Sequence, residues 1–141
     1  MASLVERIGS LAQTVASRFN GLVGQPAART VALGTAYRPT VTGKSALVTV
    51  TLTSTATITL TGGATNSADL VIGLAATIAT TGGTVMGKYA NTNTGALTVG
   101  LSLSTVMTNS YTLAIPPGWY FAIRQTAGSV SVVSAFEQAL G

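Results

Sequence analysis

Apolar residues fall at Leu4, Ile8, Leu11, Val15, Phe19 and Leu22. Spacings of four and three put these six on one face of an α-helix. Ser3 and Glu6 stand at the separation of a capping box, in which each side chain satisfies an amide left open by the first turn. Gly21 or Gly24 can supply the left-handed stop, and Pro26 discourages continuation. The pattern predicts a helical segment over 1–25 and a separate domain over 26–141. Leu4, Ile8, Leu11 and Val15 fit heptad d and a positions, but the next d falls on Arg18 and the stripe moves to Phe19. That drift follows a straight 3.6-residue period. The helix either docks on its own domain or serves as an assembly or anchoring element. The second placement is preferred, because a β-sandwich closes its own core and a helix of about 20 residues is marginal alone.

From residue 29 onward the period shortens. The segments "RTVALGTAY", "ALVTVTLT", "ATITLT", "DLVIGLA", "TVMGKYA", "ALTVGLSLS", "SYTLAI", "GWYFAIRQ" and "SVSVVSAF" read as strands. Between them lie "RPTVTGK", "TGGATNSA", "TTGG", "NTNTG", "PPG" and "TAG", each rich in turn residues. Eight or nine short strands at close spacing predict a mainly β chain, an antiparallel, jelly-roll-like β-sandwich behind one helix.

Within this region "TVTLTSTATITLT" carries threonine at every odd position from 49 to 61. Strand side chains alternate faces, so these threonines share one side of a continuous extended stretch. Thirteen residues exceed a typical strand, and a bend or bulge is expected near Ser54–Ala56, where the inward side chains shrink. Val50, Leu52, Ile58 and Leu60 are then expected in the core. Threonine is a good strand former that keeps a hydroxyl for water, so it covers an outer face without charge. The rival interpretation, a hydroxyl and methyl array that binds a regular lattice, calls for several rows, and the sequence has one long row.

Composition sharpens this picture. Charged residues make up 7% of the chain and hydrophobic residues 47%, with a mean hydropathy of +0.52. Charge normally keeps a small domain soluble, so hydroxyls cover part of the surface and other subunits cover the rest. The net charge of +4 reflects seven basic residues against three acids. Arg7, Arg18, Arg29, Arg38, Lys44, Lys88 and Arg124 are scattered, which excludes the basic patch that phosphate neutralisation requires. No nucleic-acid partner is expected. The run "LVIGLAATIA" falls far short of the roughly 20 residues of a membrane span, and Glu6 and Arg7 interrupt any signal-peptide pattern. No membrane partner is expected either.

Candidate chemistry is sparse. Without histidine the usual neutral-pH base is missing, and without cysteine there is no thiolate metal site. The acids are Glu6, Asp69 and Glu137, so a carboxylate pair would need Asp69 with Glu137. Lys44 and Ser45 are adjacent and point to opposite faces when extended. Asn66 and Asp69 are too few for strong calcium binding. The glycine pairs lack the lysine and helix of a phosphate loop. No catalytic residue, metal or cofactor is expected. In "IPPGWYFAIRQ", Trp119, Phe121 and Ile123 share one face, read as core anchors. Tyr120 and Arg124 share the other and are the candidate intersubunit contacts.

The chain resembles small tailed-bacteriophage virion proteins. "SLVERIGSLAQTVASRFN" is similar to the N-terminal helices of phage tail-fibre and related appendage proteins. "RTVALGTAYRPT" and "PPGWYFAIRQTAGSVSVVSAFEQ" are similar to the opening and closing segments of their compact β-domains. The resemblance implies a homo-oligomeric structural protein of the virion, a capsid decoration or short fibre subunit, assembled in the host cytoplasm. Its partners would be further copies of itself, with a trimer favoured, and phage capsid or tail proteins. The alternative it implies is a tail-fibre or adhesin-type module that binds a host surface glycan or protein as receptor.

Overall fold

A helix, α1 (Leu4–Leu22), precedes eight strands in the computed structural model. It describes residues 3–22, 24–60, 62–95 and 102–140, without the side chains of 16–22. The strands are β1 (Ala27–Ala28), β2 (Ala36–Tyr37), β3 (Ser45–Ile58), β4 (Ala64–Gly73), β5 (Thr84–Asn93), β6 (Leu103–Ile115), β7 (Tyr120–Ala127) and β8 (Ser131–Leu140). A 3-10 turn, Ala76–Ala79, follows β4.

Pairing is antiparallel throughout, and β1 meets β8, β2 meets β7, β3 meets β6 and β4 meets β5. This is the pairing of one long four-stranded-pair hairpin. Rolled up, it gives two sheets, ordered β1-β8-β3-β6 and β2-β7-β4-β5. The expected antiparallel sandwich is present, with jelly-roll connectivity. Its core is made by inward residues of both sheets: Val48, Val50, Leu52, Leu113 and Ile115 face Leu70, Ile72, Tyr89, Phe121 and Ile123.

Three local expectations need correction. First, β3 alternates buried and outward residues through Ser54–Ala56 with no bulge of its own. It pairs with β6 from Ala46 to Ile58 without a shift of register. The irregularity lies in β8 instead: Thr51 pairs with Ser134 and Leu52 with Val132, so Val133 is the extra residue of a bulge. Second, Leu60 is 55% exposed. The strand ends at Ile58, and Thr59 exchanges backbone hydrogen bonds with Gly62 across a tight turn. Third, "RTVALGTAY" is strand only at Ala36–Tyr37, because this segment crosses from one sheet to the other. Val31 is nevertheless buried.

The shrunken inward positions have a different cause. β8 pairs with β3 only as far as Thr53. Beyond that point, side chains from the second sheet take over as partners. The Asn66 amide donates to the Thr55 carbonyl, Asn91 to the Ser54 and Thr105 carbonyls, and Asn93 to that of Ala56. The Tyr89 hydroxyl donates to the Met107 carbonyl at 2.6 Å and shares a 2.7 Å hydrogen bond with Ser54. Small residues at 54 and 56 make room for these groups. Among the described residues no buried side-chain polar atom lacks a partner.

Asn66 also accepts from the Ser129 amide at 2.8 Å, just beyond the β7–β8 turn. Gly128 in that turn has φ +62°, and a Cβ there would lie 2.0 Å from Asn66 Oδ1 and 2.5 Å from the Thr65 carbonyl oxygen. Gly128→Ala is therefore expected to cost about 1–3 kcal/mol, read as a lower urea midpoint. An unchanged midpoint would mean the turn relaxes freely.

Candidate functional site

The capping box forms as the spacing indicates. The Glu6 amide donates to Ser3 Oγ at 3.2 Å and the Ser3 amide to Glu6 Oε2 at 2.9 Å. On the helix it starts, every described side chain from Leu4 to Val15 is exposed. Leu4, Ile8, Leu11 and Val15 are between 59% and 73% exposed, so they do not dock on the domain. The side chains of Phe19 and Leu22 lie outside the described residues. The chain joins the sandwich at Gly24, whose amide donates to the Ala139 carbonyl at 2.8 Å. What results is a helix carrying an apolar stripe beside a domain that has already closed its core. Surfaces of this kind mark interaction sites.

The threonine row faces outward on the first sheet, and the fold supplies what the sequence did not show, a second row in register. Thr49, Thr51, Thr53 and Thr57 share hydroxyl hydrogen bonds of 2.7–3.0 Å with Thr112, Ser110, Thr108 and Ser104 of β6. Paired in this way, the hydroxyls satisfy one another and the face carries no charge. The even positions of "LSTVMTNSYT" held the matching pattern, but only strand pairing could bring it alongside.

Phe121 and Ile123 are buried and Trp119 packs partly buried against the core, which is the face expected for them. Tyr120 and Arg124 lie on the opposite, outer face of the second sheet, and both are engaged within the chain. Tyr120 packs on the small cluster of Val71, Ile78 and Ala122, under the Arg38 guanidinium at 4.6 Å. Arg124 Nη1 donates to the Gly82 carbonyl at 2.9 Å.

The fold keeps apart the polar residues that sequence spacing could have joined. Asp69 lies on the outer face of the second sheet, while Glu137 is buried, ion-paired to Arg29 and accepting from the Thr40 amide at 2.6 Å. They form no carboxylate pair. Asn66 points inward, away from Asp69, so the two share no cation site. Among the described residues no group of three or more acidic, histidine or cysteine side chains is placed to hold a metal.

One concave site was not foreseen. An open cavity of about 760 Å³ lies on the outer face of the second sheet, between the β1–β2 connection at Leu33–Gly34 and the turn at Ala79–Gly82. Asp69 and Arg124, register partners on β4 and β7, form its floor. No protein-family model, curated protein or solved structure matches the chain.

Proposed function

We propose that this protein is a non-enzymatic structural subunit of a phage particle, a capsid decoration or short fibre component, whose copies associate through the N-terminal helix. The observation that carries this reading is the exposed stripe of Leu4, Ile8, Leu11 and Val15 beside a self-sufficient jelly roll. Burying an apolar side chain contributes about 1.5–3 kcal/mol, so joining several such stripes gives the helix a stability that it lacks alone. Three copies are the favoured assembly. The likeness of the helix and the closing segment to phage appendage proteins supports the virion assignment, as does the use of jelly rolls in viral coats. Fold alone does not assign function.

Light scattering on the full chain tests the proposal. The expected mass is three times the 14.1 kDa of one chain, and Ile8→Asp with Leu11→Asp should reduce it to one. A monomeric full chain sinks self-association. An oligomer that survives both substitutions moves the assembly surface to the β-domain and removes the helix from this role.

A further inference from the structure

We infer that the cavity over Asp69 and Arg124 is a binding site for a neutral saccharide. The inference goes beyond the assembly role and does not depend on it. The Asp69 carboxylate makes no ion pair or side-chain hydrogen bond among the described residues. It nevertheless sits beside Arg124 on the adjacent strand, with Lys88 opposite it on the other side. Arg124 uses one donor to hold the Gly82 carbonyl. That contact fixes the guanidinium and leaves most of its five N–H groups to a ligand.

The charges select the ligand class. A simple anion would meet the Asp69 carboxylate, and a simple cation would meet Arg124. A ligand of alternating hydroxyls gives protons to the carboxylate and accepts them from the guanidinium, satisfying both without net charge. The Thr81 hydroxyl at the rim extends the same chemistry, the Thr80 hydroxyl donates to the Thr77 carbonyl and is left to accept, and Leu33 and Ala79 offer an apolar wall for the carbon face of a sugar ring. The volume lies within the range of small-ligand sites. Gln125 also lines the cavity but is committed elsewhere, donating to the Gly128 carbonyl and accepting from the Val130 amide.

Saturation-transfer NMR on the full chain tests this with neutral di- and trisaccharides of glucose, galactose, mannose and N-acetylglucosamine. At least one is expected to receive saturation and to bind in roughly the millimolar range. Asp69→Asn should weaken that binding at least tenfold with an unchanged melting temperature, since among the described residues Asp69 bonds no other side chain. Thr108→Val, on the opposite sheet, should leave it unaltered. No transfer to any saccharide overturns the proposal, as does binding indifferent to Asp69→Asn. Displacement of a bound sugar by glycine at equal concentration would make the site one for zwitterions and equally overturn it.

Discussion

Glu137→Ala is expected to destabilise the domain by about 3–5 kcal/mol, the cost of leaving a buried partner charge alone. Glu137 is 5% exposed and faces the interior from β8. Its carboxylate pairs with Arg29 and accepts from both the amide and the hydroxyl of Thr40. Arg29 lies just after β1, and Thr40 in the connection between β2 and β3. One acid therefore ties the connection that leaves the first sheet to the one that returns to it. Alanine would strand the Arg29 guanidinium, which is only 15% exposed, and the Thr40 amide together. Glu137→Gln should cost less, because its carbonyl oxygen still accepts from Thr40. Urea unfolding of the three proteins measures this order. A loss below about 1 kcal/mol for alanine, the size of a surface pair, would show that the ion pair holds nothing in place.

Phe121→Ala should cost about 3–5 kcal/mol, the usual range for a buried aromatic truncated to alanine. Phe121 is fully buried on β7. Its ring stacks against Tyr37 at a centroid distance of 5.7 Å, and the Arg29 guanidinium lies 5.1 Å from its centroid. Arg29 is thus held by Glu137 on one side and by aromatic faces on the other. The two substitutions share that partner, so a double-mutant cycle with Glu137→Ala should depart from additivity by about 0.5–3 kcal/mol. Strict additivity would show that the ion pair and the aromatic stack act independently. A loss under about 1 kcal/mol for Phe121→Ala would mean that neighbouring side chains collapse into the space.

Glu137 shows where sequence reasoning stops. From the chain alone it is an acid near the C-terminus, and nothing local marks Arg29, 108 residues earlier, as its partner. Tyr120 and Arg124 illustrate a halfway case. Alternation placed them correctly on the face opposite Phe121 and Ile123, but their engagement with Arg38 and Gly82 depends on loops brought in from elsewhere. Ser54 and Ala56 are similar. Their small size is visible in the sequence and suggested a bend, whereas it accommodates Tyr89 and Asn91 from the other sheet.

What the sequence determined by itself is whatever depends on near neighbours. Helix capping rests on residues three apart, the helical stripe on spacings of three and four, and the outward threonine face on alternation. The turns rest on glycine, whose missing Cβ permits φ values closed to other residues. The tertiary structure decided which distant strands lie side by side. That choice made the second hydroxyl row, the asparagine ties between sheets, the Arg29–Glu137 pair and the Asp69–Arg124 cavity. These contacts join residues from 11 to 108 positions apart, and their meeting is set by the rolled pairing of the whole chain, which no local spacing encodes.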